Sequence, residues 1–368
     1  MRANKQASPK VREWKVAFRD ANLSVVSPAP RDVWWRLLEA DPNALITQTP
    51  DWLDCICDLG DYEDASCLYH SSDGRELVLP LVRRRALPRQ LTVFASLPPS
   101  WGFGGIVTAE NARPAHVAAV FADLAGRSGL RTSLRPNPLY AGLWAAARPP
   151  QALIVPRLAH VLDLDGGFST VWKRRFTGSA RTAVRKAERM GVVVERDTSG
   201  KLVPVFYELF RRSLDRWALR QHEPQWLALW RGQRRDPVRK FEAMVRRLAG
   251  GCRFWVAWVD GQAAAAILVL QGTNAHYTRG AMNQEIAGPV RANDLLHRMA
   301  IEEACEEGCR HYHMGETGTS AMLARFKERF GAEPHPYHEY HLERFPVTSA
   351  VEHVRQAVKR TIGFRELT

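Results

Sequence analysis

The sequence predicts an α/β (α+β) protein in which a mixed, largely antiparallel sheet flanked by helices is built twice. Three observations carry this prediction. Strand-length apolar runs end at Asp-Gly turn signals, "ASCLYHSS" at Asp73-Gly74 and "CRFWVAWVD" at Asp260-Gly261. The order strand, Asp-Gly turn, strand, strand, glycine-bearing loop, helix, strand occurs once in each half. Segments of helical period alternate with these strands, and 368 residues suffice for two domains.

Residues 1–12 are polar and mixed in charge and read as a disordered tail. The first domain is expected over 13–155. Its strands are "ASCLYHSS", "RELVLPLVRRR", "QLTVFASL" and "LRTSLRP" (130–136), with a helix near 114–126 and the glycine-rich loop "WGFGGI" at 101–106. The second is expected over 156–345, opening with the strand "HVLDLDG" (160–166). A basic helical insertion at 168–249 follows: a helix over 168–190, the strand "VVVERD", an amphipathic helix over 202–217, and helices over 224–232 and 236–249. Then come strands at 252–260, 262–271 and 275–283, and a loop carrying Gly288 and Pro289. A helix over 293–308 is capped by Asn293 and stopped by Gly308. The strand 309–316, a short helix over 320–331 and the strand 335–344 complete the unit, and 346–368 reads as a helical tail.

The charge is unusual in size and in place. There are 52 Lys+Arg against 39 Asp+Glu, a net +13. Between Val171 and Lys240 stand 18 Lys/Arg and 7 Asp/Glu, so seventy residues hold most of the surplus. Such clustering fits a polyanion site: nucleic acid, a phosphorylated ligand or a membrane surface. A solvated basic face is the plain alternative. The six cysteines form neither a CxxC pair nor a disulfide-like framework, so reduced thiols, no metal and a cytoplasmic setting are expected. His335, His338 and His341 are spaced by three and do not share a strand face, which argues against a metal site. The longest wholly apolar run, "AAAAILVL" at 263–270, is far too short to span a bilayer.

The runs "GSARTAVRKAERMGVVVE", "FWVAWVDGQAAAAILVLQ", "TQTPDWLD" (47–54) and "FKERFGAEP" (326–334) together resemble the Fem-type aminoacyl transferases and the BioF2/CelD-like branch of the GNAT acyltransferase superfamily. The resemblance spans roughly residues 40–345. It implies two tandem GNAT-like domains, an acyltransferase without a bound cofactor, and a monomer. The donor would be an aminoacyl-tRNA and the acceptor a small-molecule or peptide amine, such as a peptidoglycan precursor or a peptide-like natural product. The alternative it leaves open is an acyl-CoA donor with a sugar or peptide amine. A nucleic-acid-binding protein without activity is the third reading.

The donors make different demands. GNAT-type acyl-CoA sites cradle a pyrophosphate on consecutive backbone N–H groups in a glycine-rich turn opening a helix. The corresponding "NQEIAGPVRAND" (283–294) has one glycine, a proline with no N–H, and Glu285, with Arg291 as partial offset. A tRNA donor needs a cationic surface, because affinity grows with each phosphate neutralised. Lys173, Arg174, Arg175, Arg181, Arg185, Lys186 and Arg189 provide one stripe, and Arg211, Arg212, Arg216 and Arg220 a second.

Aminolysis of an ester needs a neutral amine, stabilisation of the oxyanion and a proton for the leaving oxygen, and no protein nucleophile. By the resemblance, Phe326 and Lys327 are the Phe-Lys pair at the reacting centre. Lys327 would stabilise developing charge or the donor's terminal phosphate, and Phe326 would line the channel. General-base candidates are His311, His313 and Glu316 on one strand and His338 and His341 on another. For the acceptor, Trp101, Phe103 and Gly104 offer aromatic faces and close backbone approach. By the resemblance the acceptor site also uses the "RQHEPQW" region (220–226), where His222 and Trp226 stand in place of the family's frequent Arg and Tyr.

Overall fold

The computed structural model describes residues 11–18, 21–85, 87–109 and 112–365. Most of the expected tail therefore lies outside the described residues, but Arg12 already opens a strand. β1 (Arg12–Phe18) and β2 (Ala21–Ser27) form a hairpin that the sequence reading did not anticipate. Helices α1 (Arg31–Ala40) and α2 (Pro50–Asp58) follow; α2 is capped by the Thr49 hydroxyl, with Pro50 at its first position. β3 (Tyr62–Asp64), β4 (Cys67–Ser71), β5 (Glu76–Leu79), β6 (Val82–Arg84) and β7 (Val93–Ser96) come next. The single strand expected from "RELVLPLVRRR" is broken at Pro80, which has no N–H to continue a ladder. As a result β5 pairs with β4 in a four-stranded sheet, while β6 joins β7 in a separate sheet. α3 (Pro114–Gly126), β8 (Arg131–Leu134), α4 (Ala141–Ala147) and β9 (Leu153–Asp163) complete the first half.

The second half starts with the basic segment. Instead of one helix over 168–190 it holds three pieces: α5 (Gly167–Thr170), a π-helical turn at Val171–Arg175, and α6 (Gly178–Arg189). Phe176 turns inward as extended chain, and the Thr177 hydroxyl caps α6. β10 (Val193–Asp197), α7 (Val203–Gln221), α8 (Gln225–Arg235) and α9 (Val238–Arg247) follow. β11 (Cys252–Val259) and β12 (Gln262–Gln271) turn at Asp260-Gly261, both with positive φ, as a tight hairpin demands. β13 (Ala275–Met282) leads into α10 (Gln284–Val290) and α11 (Ala292–Glu306). The stretch expected to be a loop around Gly288 and Pro289 is thus helical: Asn283 caps it, and Pro289 stands in its last turn, where the helix ends one residue later. β14 (His311–Glu316), α12 (Ala321–Glu328), β15 (Glu333–Glu343) and α13 (Val347–Thr361) close the chain.

Eleven strands form one sheet in the order β10-β11-β12-β13-β14-β9-β15-β8-β7-β6-β3. In each half a strand pairs in parallel with the strand after its helix, β7 with β8 and β13 with β14. The last strands of the halves are exchanged. β9 lies between β14 and β15, and β15 pairs with β8. The expected boundary at 155/156 falls inside β9, in the middle of the sheet. Side chains of β12 alternate between two cores. Ala266, Leu268 and Leu270 pack with α2, α7 and α9, whereas Ala265, Ile267 and Val269 pack with α6 and α11. A third core under the first half centres on Trp144, Phe121 and Tyr340.

Candidate functional site

The sheet splits where the two halves meet. β13 and β14 pair only at Ala275–Tyr312 and His276–His313. Beyond them β13 stays with β12, while β14 bends toward β9 through Gly315, at φ +71. A bulge skips Thr278 in the register with β12, which sharpens the bend of β13. The fork opens into a cleft of about 390 Å³. Its floor is Tyr277–Gly280 and Met314–Glu316, one wall is α7 and α9, and the other is α2 with the Ser100–Phe103 loop.

Lys327 enters this cleft from α12 and is buried, with 1% of its surface exposed. Its ammonium donates to the carbonyls of Gly315 (2.8 Å) and Glu316 (2.8 Å) and to Thr317 Oγ1 (3.0 Å). Three acceptors use all three protons. Burial lowers its pKa to about 7, against the opposing pull of Glu316. Phe326, its neighbour, stands behind the cleft wall. It is one rung of an aromatic ladder that runs Tyr277, His297, Phe326, Phe330, Phe176, with centroids 4.6, 5.4, 5.3 and 5.1 Å apart.

Glu316 ends β14 with its carboxylate in the cleft, hydrogen-bonded by the Tyr337 hydroxyl and 3.5 Å from Arg135 Nη1. Arg135 is held in turn by Glu339 at 2.9 Å. Across the cleft Asp236 binds Lys240 (2.7 Å), Arg235 (2.8 Å) and Arg279 (3.1 Å). Burial alone would raise Asp236, but Arg279, Lys240 and Arg235 together hold it well below the usual carboxylate range. Burial brings Lys240 down to about 8 despite Asp236. Lys240 also donates to the Ser100 carbonyl at 2.7 Å and lies 4.2 Å over the Trp101 ring, fastening the glycine-rich loop to the second half. His276, at the crotch of the fork, stacks on Phe103 at 5.2 Å. Its Nδ1 is buried without a hydrogen-bond partner, and burial, reinforced by Arg279 and Lys327, lowers its pKa to about 3. Burial therefore favours its neutral form.

The expected residues are dispersed over several places. Lys327, Trp101 and Phe103 line the cleft. Gly104 lies outside its lining and allows close approach instead: a Cβ there would stand 2.8 Å from the Ser96 carbonyl oxygen. His222 is the left-handed C-cap of α7, and Trp226 on α8 is 70% exposed; neither lines the cleft. Of the basic stripe, Arg175 pairs with Asp163, and Arg181 caps the carbonyls of Trp172, Lys173 and Phe176. Lys173, Arg174, Arg185, Lys186 and Arg189 are exposed and make no ion pair among the described residues. They sit on the α6/α11 side of the sheet, and the head of α6 is tied to the end of α12 by Thr177 N–H to the Arg329 carbonyl, 2.9 Å. The second stripe, on α7, is on the opposite side. His313 is fully buried with both ring nitrogens unpartnered, and His341 bonds Ser133, so neither lines the cleft.

Arg291 adopts φ +62 between α10 and α11. The first turn of α11 holds Asp294, buried and paired with Arg329 at 2.7 Å. A carboxylate already complements that helix terminus.

Sequence reasoning missed Asp236, Lys240, Arg279, Arg135, Tyr337 and His276. One signal was available: Asp236 and Lys240 are an acid–base pair at i, i+4 at the start of a strongly amphipathic helix. For the others the partner is distant in sequence: Arg279 meets Asp236 and Tyr337 meets Glu316 within the second half, while Arg135 and His276 meet residues of the other half.

Residues 174–333 match the family described as an acetyltransferase (GNAT) domain. FemX has the same fold, with a TM-score of 0.64 at 14% identity over 86% of this chain and 96% of that one. A Bacteroides thetaiotaomicron protein of unknown function gives 0.53 at 8% identity, over 85% and 97%. No curated protein matches the sequence. Residues 174–333 therefore carry a GNAT-type domain. The chain as a whole has the fold of FemX.

Proposed function

We propose that the protein is an N-acyltransferase that moves an aminoacyl group from aminoacyl-tRNA to a small-molecule or peptide amine. The neutral amine attacks the ester carbonyl carbon, and the carbonyl π pair moves onto oxygen. The neutral His276 ring N–H donates a hydrogen bond to that oxygen. Glu316 accepts the proton lost by nitrogen and returns it to the departing 3′-oxygen as the C–O bond breaks, so an amide and a free 3′-hydroxyl result. Lys327 is the strut that holds Gly315 and Glu316 in place, and its charge adds to the potential at the oxyanion. Trp52, Trp101 and Phe103 shield the reacting atoms from water.

The observation that supports this donor over acyl-CoA is the first turn of α11. Buried Asp294, paired with Arg329, stands where a pyrophosphate would need bare N–H groups. The exposed cations of α6 give a polyanion a surface on the α6/α11 side of the sheet, and the head of that helix is tied to the end of α12. Incubation with tRNA charged with radiolabelled amino acids and a panel of amines tests the reading: label passes into acid-stable amides, and Glu316→Gln lowers the rate about 100-fold or more.

A further inference from the structure

One surface is used neither by the fold nor by the mechanism. On α8, Trp226, Trp230 and Arg234 follow each other at i, i+4 and i+8, a single column on one helix face. The indoles are 70% and 55% exposed. Arg234 lies 5.4 Å over the Trp230 ring, continuing the stack with a planar cation. Leu219 and Arg220, at the end of the adjoining α7, are exposed beside it. Arg231 is committed to the buried Glu223 and Arg235 to Asp236, whereas Arg220 and Arg234 meet no carboxylate among the described residues. The three side chains do not line the cleft themselves, but α8 lies in the chain between Trp217 of α7 and Asp236, which both do.

We propose that Trp226, Trp230 and Arg234 form a stacking platform for the unpaired 3′ end of an RNA entering the cleft. Side chains one helical turn apart are separated by about 5–6 Å. A modest opening of the two indoles admits one base between them, and the guanidinium takes the next. Flat rings above a cationic surface are what a single strand needs, since every base has a π-face and every link a phosphate. A bilayer-seeking helix would present a broad apolar face; here Leu227 and Leu229 are half-buried and only the two rings stand clear of α8. The identity of the RNA rests on the donor reading above, but the platform itself does not require turnover.

The test uses the full chain, a fluorescein-labelled hexaribonucleotide ending in CCA, and anisotropy at fixed salt. Trp226→Ala and Trp230→Ala are each expected to weaken binding about tenfold without changing the salt dependence. Arg234→Ala weakens binding and also lowers the salt slope by about one charge. The indoles are exposed, so thermal midpoints stay unchanged and confirm the fold. Full affinity in the double tryptophan variant overturns the platform. So does an indole dependence seen only in binding to vesicles of anionic lipid, or only in self-association. The donor reading is scored separately. Hexamer binding lost with the indoles, but no transfer from charged tRNA, keeps the platform and removes the donor. Transfer from charged tRNA that ignores both indoles does the reverse.

Discussion

At the scale of residues, the cleft is organised by buried polar groups that face one another. His276 is enclosed and stacked on Phe103, and its buried, unpaired Nδ1 is retained at a cost of about 1–3 kcal/mol. His276→Leu is therefore expected to lower kcat about 100-fold with KM little changed. His276→Gln, which keeps an N–H donor, recovers part of the loss; full turnover by the leucine variant would refute the assignment. Lys327 gives a pH signature. Its folded pKa of about 7 lies below the free-lysine value, so above pH 7 the unfolded chain holds the extra proton. The stability linked to this group is complete above the unfolded pKa and is lost as pH falls through 7. Urea unfolding of the wild type minus that of Lys327→Met should rise from pH 7 to 9 by at most about 1.4 kcal/mol per unit. A flat difference would mean the ammonium is not desolvated. The roles of Phe326 and Lys327 came only from resemblance, because spacing alone cannot tell a buried strut from an exposed lysine.

At the scale of elements, the fork between β13 and β14 makes the site. The sequence gives its strands and its helix, since apolar runs and caps report local structure. It does not give the split, because splaying depends on which strand β14 meets next. Gly315 is the hinge: φ is +71, and a Cβ would stand 3.2 Å from the Tyr277 carbonyl. Gly315→Ala should cost about 1–2 kcal/mol in urea unfolding and slow transfer by displacing Glu316. Unchanged stability would show that the bend does not depend on glycine. Pro80 and Pro289 teach opposite lessons. A proline inside an apolar run ended one strand and sent its halves to different sheets, which the run of residues hid. A proline in a presumed loop sat in the last turn of a helix, because Asn283 capped the segment ahead of it.

At the scale of the whole molecule, the repeated order of elements was readable, whereas the exchange of final strands was not. β9 and β15 are ordinary strands in sequence, and only long-range pairing places each beside the other half. Both halves line the cleft, with Trp101, Phe103 and Arg135 from one and Lys327, Glu316 and His276 from the other. The two basic stripes that the sequence shows lie on opposite sides of the sheet, because α6 and α7 pack on different cores. If the activated ester arrives on RNA, amide formation followed with charged tRNA and with acetyl-CoA in parallel, each with and without ribonuclease pretreatment, gives product from charged tRNA alone, abolished by ribonuclease. Product from acetyl-CoA that survives the nuclease would refute an RNA-borne donor.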